Sequence, residues 1–534
     1  MDRTELIKIF LEYNLNIAVE ALDYLLQKKV SEKILRERLP KIPPEIPVLN
    51  LSSVKKYLEP LESYSPPVKK KKEDSKGDIE ISNEIEIIGE SPKMEKLSEV
   101  RRTGQDITQA SLRPSSRVII KLDIPERTSA KPDFLAFQQL FQNRFDQLSS
   151  ILIENFDNSE PILKRKIEAE ERFQVKSGVL IGMVQDTRVL HTNKFVIQLE
   201  DPESEIITNC VMVQDSPSFP EYRDILRDTV IGISGVLPKN FREGNITAFW
   251  GRDIIRPGFS AKTFNPTSGP HRILFIADLH FGSKYFSRAV FAKLIKFLNL
   301  HDLDPTHEEL AKEIKTIIIA GDLVDGVGQF SNQKDHITTH SFQAQYEKLA
   351  EILKEIPSDI QIIIIPGEHD ATQTALPQPA IDRHSSQALL SIPNLTSHGN
   401  PLRVSLEDIN ILVFHGQGNE LFQKHFQDTQ FNPATAIKQL LEYRHLNPEY
   451  GSYNPIAPFK RDYLVIDEIP DVIVSGHMHQ AYFEEYKGVK IIACGTFQRE
   501  NERKTRLKGK VSLGIIPILD TVTGAVKMID LTTL

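Results

Sequence analysis

The stretch RILFIADLH, residues 272–280, decides the fold, because it is a short apolar run that ends in an aspartate and a histidine. The run from Ile273 to Ala277 stops at polar side chains, which is typical of a strand buried on both faces of a sheet. Asp278 and His280 then fall on the loop after that strand. The stretch predicts an α/β domain with functional side chains at the carboxyl edge of its sheet.

Four further runs repeat this arrangement of an apolar strand followed by side chains that bind metals. They are TIIIAGD (316–322, ending in Asp322), QIIIIPGEHD (361–370, with Glu368 and His369), ILVFH (411–415, ending in His415) and VIVSGHMH (472–479, with His477 and His479). Because the carboxyl ends of strands in an open α/β sheet border one crevice, five such loops can build one site. Other histidines, such as His445, do not follow such a run, and we assign them no chemistry.

Length and composition limit the classes of protein to consider. A chain of 534 residues is too long for one hydrophobic core, so about three or four domains are expected. The net charge of -8 argues against a generally basic surface, and any polyanion must be held locally. Cys210 and Cys494 are too few for a disulfide framework, which favours a cytoplasmic setting. No signal-peptide core or bilayer-spanning stretch is evident, so we expect no membrane association.

The N-terminal part separates into two regions by composition. Residues 1–40 carry apolar side chains at helical spacing and predict a small helical domain. Residues 41–130 are rich in Pro, Ser, Lys and Glu, with too little apolar material to offset chain entropy, and predict a flexible linker. The basic run at 69–72 can contact DNA or a partner, or can simply be a solvated part of that linker.

Residues 131–264 predict a helix followed by a small β-barrel, and residues 265–534 predict the α/β domain that carries the site. One helical face collects the apolar residues Phe134, Phe137, Phe141, Phe145, Leu148 and Leu152, a stripe typical of core or subunit contact. Five β-type runs follow, at 179–184, 195–199, 206–213, 229–236 and 246–255, and predict an OB-type barrel. Such barrels can bind single strands through aromatic side chains, but Phe195, Phe249 and Trp250 suit a structural core equally well.

The five loops together predict a two-metal phosphoesterase site. Two cations roughly 3.5 to 4 Å apart can neutralise a phosphodiester and supply hydroxide. Asp322 is the candidate bridge between them; Asp278, His280 and His479 complete one shell, and Glu368, His415 and His477 complete the other. Mixed imidazole and carboxylate ligands favour two divalent ions such as Mn, with Fe, Zn or Mg as alternatives.

Two further side chains have predicted roles beside the metal ligands. His369 is the candidate general acid or charge stabiliser at the leaving oxygen, and Asp370 is its candidate orienting partner. A basic stretch near the last strand includes Arg499, Arg503, Lys504 and Arg506. These four residues are candidates to bind DNA, although a solvated loop explains them equally well.

The motifs resemble those of the calcineurin-like metallophosphoesterases. GDLVDGVGQFSNQ (321–333) and the stretch from YRHLNPEYG to IIACGTFQ (443–498) resemble the small subunit of archaeal family D DNA polymerase, over most of 272–534. The resemblance implies a four-layer β-sandwich flanked by helices and a 3′-to-5′ exonuclease that proofreads for a large polymerase subunit. It also implies that the large subunit docks on this chain, that the substrate is DNA with single-stranded or mismatched 3′ ends, and that the assembly works with the sliding clamp PCNA.

The sequence departs from the family at one position. The family has GNH where this chain has Gly367, Glu368 and His369, so an anionic side chain replaces a neutral amide ligand. The added charge can tighten metal binding, lower the Lewis acidity of the ion and repel phosphate. Two alternatives to the nuclease follow: a non-catalytic scaffold subunit with an impaired metal site, and a phosphodiesterase unconnected to replication.

Overall fold

The computed structural model describes scattered positions before residue 55 and most of the chain from residue 118 onward. The continuous ranges are 118–125, 133–156, 161–164, 166–168, 176–190, 194–202, 206–212, 225–241, 244–267, 271–329, 333–425, 432–499 and 511–534. The chain divides into two compact units, 1–105 and 106–534. In the first unit, helix α1 spans Val19–Gln27, and strands β1 (Asn16–Ile17) and β2 (Val48–Leu49) pair in parallel. The rest of the predicted helical domain lies largely outside the described residues.

The second unit contains two six-stranded sheets. In spatial order the first sheet consists of β14 (Leu395–Ser397), β13 (Gln361–Ile365), β12 (Ile314–Ala320), β11 (Arg272–Ile276), β20 (Ile515–Asp520) and β21 (Val526–Asp530). The second consists of β18 (Tyr482–Tyr486), β19 (Val489–Ala493), β17 (Val472–Ser475), β16 (Ile409–Phe414), β15 (Leu402–Leu406) and β3 (Val118–Leu122). In the first sheet, the four strands β11, β12, β13 and β14 are parallel neighbours in that order. In the second sheet, β16, β17 and β19 are parallel neighbours in that order. Both sheets therefore present carboxyl strand ends.

The central strands are apolar on both faces because each sheet is covered on both sides. Ile363 and Ile365 of β13 belong to the core between the two sheets, whereas Ile362 and Ile364 face the helices outside. Those helices are α3 (Arg288–Leu298), α4 (Pro305–Lys312), α5 (Phe342–Leu353) and α6 (Gln387–Leu390). The second sheet is covered by α8 (Pro433–Tyr443), which follows α7 (Asn419–His425). The domain thus has four layers, helix, sheet, sheet and helix.

A closed five-stranded barrel packs against this domain. Its strands are β5 (Ser177–Val189), β6 (Phe195–Glu200), β7 (Ile207–Met212), β8 (Val230–Val236) and β10 (Ala248–Ile255), and a separate short pair joins β4 (Lys166–Ile167) to β9 (Gly244–Asn245). Phe249 lies in the barrel core and is 1% exposed, whereas Trp250 is 41% exposed. The barrel core is continuous with Leu440 and Tyr443 of α8, so the barrel shares apolar contacts with the sandwich.

Strand β3 differs from the sequence-based expectation. It lies within the stretch 41–130 that composition predicts as a linker, yet it pairs antiparallel with β15 and extends the second sheet. Asp123 just beyond it contacts His398, with its Oδ2 2.7 Å from Nδ1 of the imidazole. The linker prediction is therefore wrong for residues 118–125, because a short edge strand is stabilised by pairing with a distant strand that local composition does not reveal.

Helix α2 (Phe134–Asn155) buries a face that coincides only in part with the predicted stripe, since Leu148 and Leu152 are buried and Phe141 and Phe145 pack partly buried in the same core. Its buried residues are Ala136, Leu140, Arg144, Leu148 and Leu152, at spacings of four, while Phe134 is 80% exposed. The buried cation on this face is part of a cluster, Arg144, His445 and Asp462, which we call the Arg144 network. The guanidinium donates to Asp462 Oδ2 at 2.7 Å and to the carbonyl of Pro448 at 2.6 Å. A charge with these partners can occupy a position that hydrophobic patterning assigns to an apolar residue. Among the described helices, none has the length and apolar character needed to cross a bilayer.

Candidate metal centre

Every predicted ligand lies just after the carboxyl end of a parallel strand. Asp278 and His280 follow β11, Asp322 follows β12, and Glu368 follows β13 in the first sheet. His415 follows β16, and the His477–His479 pair follows β17 in the second sheet. The facing sheets bring these loops together, so one site draws on both.

The backbone at five predicted ligands has a positive φ, which non-glycine residues seldom adopt. These residues are Asp278 (52°), His280 (48°), Asp322 (52°), His477 (68°) and His479 (57°). Left-handed residues of this kind cluster at functional sites, where the surrounding fold holds them against their local preference. The backbone therefore marks the same loops that the sequence pattern selects.

Two glycines allow the ligand loops to approach one another closely. A Cβ at Gly367 would lie 2.2 Å from Asp322 Oδ1, and one at Gly321 would lie 2.3 Å from Nδ1 of His415. Any side chain at either position would have to displace a predicted ligand. These glycines, present in the quoted motifs, are needed for the space that they leave.

The predicted ligands fall into two groups that share Asp322. In the first group, His479 Nε2 lies 3.3 Å from Asp278 Oδ1 and 3.1 Å from His280 Nε2. In the second group, Glu368 approaches His415 Nε2 through Oε2 and His477 Nδ1 through Oε1, each at 2.8 Å. The groups meet at Asp322 Oδ2, which lies 3.5 Å from both His280 Nε2 and His415 Nε2. The structure thus brings all seven predicted ligands together, in the two groups that the sequence predicts.

Several atoms that face the centre are buried polar atoms without a hydrogen bond. Among the described residues, Asp278 Oδ1 accepts no hydrogen bond, and Glu368 Oε2 and His415 Nε2 lie 2.8 Å apart without forming a well-aligned hydrogen bond to each other or to another group. Buried polar atoms are normally satisfied, so unsatisfied ligand atoms that lie within 4.8 Å of one another in such groups are suited to bind a cation. Imidazole nitrogens and carboxylate oxygens are ligands of Mn, Fe and Zn. The residues therefore fit divalent metal ions.

Backbone contacts hold His415 and its neighbours in a ligand orientation. Because a carbonyl can only accept, Nδ1 of His415 must donate to the carbonyl of Ala320, at 2.7 Å, which directs Nε2 toward the centre. The N–H of His415 donates to Asn400 Oδ1 at 3.0 Å. Asn400 is fully buried with Gln378 and Gln417, whose amides bond to one another. This amide cluster positions the strand end that carries His415.

Protonation balances the negative charge when only protein groups are considered. Burial raises the pKa of Asp278 to about 6, with a further contribution from the charge of Asp322. Burial and Glu368 also act to raise the pKa of Asp322, but the nearby imidazoles of His415 and His369 outweigh them, and this pKa lies below its usual value. Burial lowers the pKa of His477, yet Glu368 and Glu420 outweigh it and raise this pKa to about 10. The cluster thus retains protons that divalent cations would replace.

The structure places Asp370 differently from its predicted role as a partner of the His369 ring. His369 Nδ1 donates instead to the carbonyl of Asp325 at 2.8 Å. Asp370 is 1% exposed and accepts from the N–H of Gly367 at 2.9 Å and from the hydroxyl of Tyr346 at 3.0 Å. Burial and the charge of Asp322 raise its pKa to about 7. Asp370 therefore fastens the loop after β13, because its short side chain turns inward and away from the imidazole.

Sequence reasoning missed two carboxylates that contact predicted ligands. Asp325 Oδ1 lies 3.2 Å from His280 Nδ1, the ring nitrogen remote from the centre. Glu420 Oε1 lies 3.1 Å from His477 Nε2, again the remote nitrogen. Carboxylates at this position fix the tautomer and orientation of metal-binding histidines. Asp325 was visible in the motif GDLVDG, whereas Glu420 on α7 has no comparable sequence signal.

The predicted DNA-binding residues are only partly described. Arg499 is exposed, and its N–H donates to the carbonyl of Tyr285 at 2.9 Å. Arg503, Lys504 and Arg506 lie outside the described residues. Their predicted role stays a prediction.

Comparison with known proteins places this fold and site in a class. A family model that describes the B subunits of DNA polymerases alpha and epsilon matches residues 273–485, which include all five ligand loops. This part of the chain is therefore similar to the B subunits of DNA polymerases. The DNA polymerase II small subunit of Methanothermobacter thermautotrophicus is 31% identical over 448 residues, covering 83% of this chain and 89% of that relative. The chain belongs to the family of archaeal DNA polymerase II small subunits, which confirms the resemblance stated from the motifs.

Other matches agree in kind. The DNA polymerase II small subunit of Archaeoglobus fulgidus is 32% identical, over 74% of this chain and 76% of that relative. Among solved structures, an archaeal phosphodiesterase aligns with 48% of this chain and 98% of its own, at 18% identity and a TM-score of 0.26. A score that low supports no conclusion about fold, and the family assignment stands on the sequence relatives.

Proposed function

We propose that this chain removes nucleotides from the 3′ end of DNA at a two-metal phosphodiesterase site and so proofreads for a polymerase. The observation that carries the proposal is the set of unsatisfied ligand atoms at the centre, Asp278 Oδ1, Glu368 Oε2 and His415 Nε2. A purely structural cluster would satisfy these atoms internally. Their convergence supports a centre that binds cations and, through them, an anionic substrate.

The roles of the protein groups follow from their positions. One ion would be held by Asp278, His280 and His479. The other would be held by Glu368, His415 and His477, and Asp322 would be a ligand of both ions. When bound, two divalent ions neutralise the phosphodiester and supply hydroxide. Because Nδ1 of His369 donates to a carbonyl, Nε2 is the ring nitrogen that can protonate the leaving oxygen. Asp325 and Glu420 orient the ligands His280 and His477.

We also propose the assembly that such a subunit would serve. The relatives are named small subunits of DNA polymerase II, so the partners proposed for this chain are a large catalytic subunit, DNA and, from the family resemblance, the sliding clamp PCNA. The five-stranded barrel is proposed to be an OB-type fold that scaffolds the large subunit. Trp250 of the barrel is exposed, and Lys194 Nζ lies 5.2 Å from the centroid of its ring. An aromatic ring beside a cation can stack with a base, so binding of single-stranded DNA is proposed as a second role of the barrel.

The test is degradation of a 3′-mismatched primer by the purified chain with Mn²⁺, labelled at each end in turn. Shortening from the 3′ end is expected, and His369→Ala should slow it by about 10²- to 10⁴-fold, the usual contribution of a general acid. His384→Ala, which changes an exposed histidine that is not among the predicted ligands, is the matched control and should cleave normally. Cleavage that persists in His369→Ala, or that starts from the 5′ end, would contradict the proposal.

One observation favours a second candidate, a scaffold subunit with an impaired site. Glu368 lies 2.8 Å from both His415 and His477, so a negative charge stands where the family has an amide. Glu368→Asn separates the candidates in the same assay. If the wild type is inactive and Glu368→Asn cleaves, the natural chain is a scaffold; if both cleave, Glu368 is a functional ligand.

A further inference from the structure

A basic cleft lies beside the metal centre and has no role in the proposed chemistry. Its volume is about 410 Å³, and the loop after His280, the start of α3 and Arg499 line it. The cleft includes the hydroxyls of Ser283, Ser287 and Thr339. It is therefore a polar pocket next to the centre, formed by residues other than the predicted ligands.

A chain of contacts connects the cleft to the metal centre. Ser283 Oγ accepts from Gln498 Nε2 at 2.9 Å, and the same nitrogen donates to Asp325 Oδ1 at 3.2 Å. Asp325 Oδ1 in turn lies 3.2 Å from His280 Nδ1. Two buried side chains, Gln498 and Asp325, therefore connect the lining of the cleft to the ligand His280. A polymeric substrate with its terminal residue at the metal centre would place its adjoining residues near the centre, where the cleft lies.

The start of α3 supplies unused donors to the cleft. The first bond within the helix runs from Phe291 N–H to the carbonyl of Ser287, so the N–H groups of 288–290 precede the helical ladder. Ser287 is only 9% exposed, lines the cleft and makes no capping bond. Its hydroxyl has no hydrogen-bond partner among the described residues. A hydroxyl that makes no hydrogen bond, on a residue that is nine-tenths buried and lies beside free helical N–H groups, is suited to bind an anion.

The charged side chains around the cleft also favour an anion. Lys284, Arg288 and Arg499 line it, and no carboxylate does so among the described residues. Lys284 Nζ donates to the carbonyl of Asp335 at 2.8 Å, which holds it in place without neutralising it. Neither Arg288 nor Arg499 has an ion-pair partner within the described part of the chain. In a chain of net charge -8, such a local group of cations selects an anion.

We propose that this cleft binds a backbone phosphate of the DNA strand whose 3′ end enters the metal centre. The inference rests on the proposed nuclease function and adds a strand-binding subsite to it. The phosphate accepts from the N–H groups at the start of α3 and from Ser287, and Arg288 and Arg499 neutralise its charge. These contacts are independent of base identity, as proofreading requires.

The test is binding of a short fluorescent single-stranded oligonucleotide to the full-length chain, by anisotropy over a salt series without divalent metal. Ser287→Ala/Arg288→Gln should weaken binding about tenfold, the size expected for charge-assisted hydrogen bonds. The slope of log affinity against log salt should fall by roughly 0.7, the loss of one phosphate contact on a single strand. Lys296→Gln, a change at an exposed cation further along the same helix, is the control and should bind like the wild type.

Neutral methylphosphonate linkages placed singly along the strand locate the phosphate without relying on a variant. One linkage should weaken binding to the wild type and have no effect on the double variant. Arg288→Gln alone, a change at an exposed position, serves if the double variant does not fold. The subsite would be overturned if wild type and variant had equal slopes of log affinity against log salt. It would also be overturned if no single methylphosphonate linkage weakened binding to the wild type. If the chain cleaves DNA but no single linkage weakens binding, the subsite is refuted and the nuclease is not. If one linkage weakens binding but the chain never cleaves DNA, the nuclease is refuted and the subsite is not.

Discussion

The metal centre and the Arg144 network are both buried clusters of carboxylates and imidazoles, but they differ in how their atoms are used. In the network, Asp462 Oδ2 accepts from Arg144 and lies 3.0 Å from His445 Nε2, while Oδ1 accepts from the N–H of Leu464. In the centre, Asp278 Oδ1 and Glu368 Oε2 have no hydrogen bond among the described residues. One carboxylate is fully partnered, and the other two are not.

The backbone shows the same difference. Asp278, Asp322 and His477 have positive φ, whereas His445 and Asp462 are not among the residues with positive φ in the described chain. Both clusters have the residue types from which a sequence search would predict a site. Arg144 Nη2 in the network also lacks a hydrogen bond, so the difference lies in the unsatisfied carboxylate oxygens and the locally unfavourable backbone of the metal centre.

The largest expected effect comes from breaking the Arg144 network. Asp462→Ala should lower the free energy of unfolding by about 3 to 5 kcal/mol, because it leaves the Arg144 guanidinium buried without its counter-charge. Urea unfolding measures the loss. Asp302→Ala, which removes the partner of exposed Lys296, should cost less than about 1 kcal/mol. If both variants lose the same small amount, the network does not have the structural role assigned to it.

Acid should weaken the same network through His445. Burial and the charge of Arg144 lower the pKa of this imidazole to about 4 from an ordinary value of 6.5, so the folded state favours the neutral ring. Stability from this group is complete above pH 6.5 and is lost as the pH falls toward 4, by about 3 kcal/mol in all. Between pH 4 and 6.5, the free energy of unfolding of His445→Gln should therefore depend less steeply on pH than that of the wild type. Identical pH profiles for the two chains would contradict the assignment.

The smallest expected effect concerns the affinity of the centre for metal. Glu420→Gln removes the charge that contacts His477 Nε2 and should weaken Mn²⁺ binding about tenfold, as for other partners of metal-binding histidines. Titration calorimetry measures the affinity, and urea unfolding without metal should show only a small loss, because Glu420 also stabilises the protonated imidazole of His477. Glu485→Gln, at an exposed partner of Lys490, is the control for metal binding. Unchanged affinity in Glu420→Gln would exclude Glu420 from the positioning of His477.

Local pattern predicted much of the secondary structure. The five apolar runs correspond to β11, β12, β13, β16 and β17, and the five barrel runs correspond to β5, β6, β7, β8 and β10. These segments were predictable because apolar runs bounded by polar or glycine residues have few other buried conformations. Strand β3 was missed because its pairing partner β15 lies far away in the sequence. Phe134 was misplaced because helical spacing allows neighbouring faces, and packing selects between them.

By itself the sequence determined which side chains could reach one site, because each follows a strand and strand ends share an edge. It also determined the family, through motifs that extend over most of the sandwich domain. Only the tertiary structure decided that Asp325 and not Asp370 contacts the His369 imidazole, that Glu420 contacts His477, and that a cleft with unused donors lies beside the centre. These are distances between side chains of different loops, and such distances depend on how two sheets pack, which no local pattern encodes.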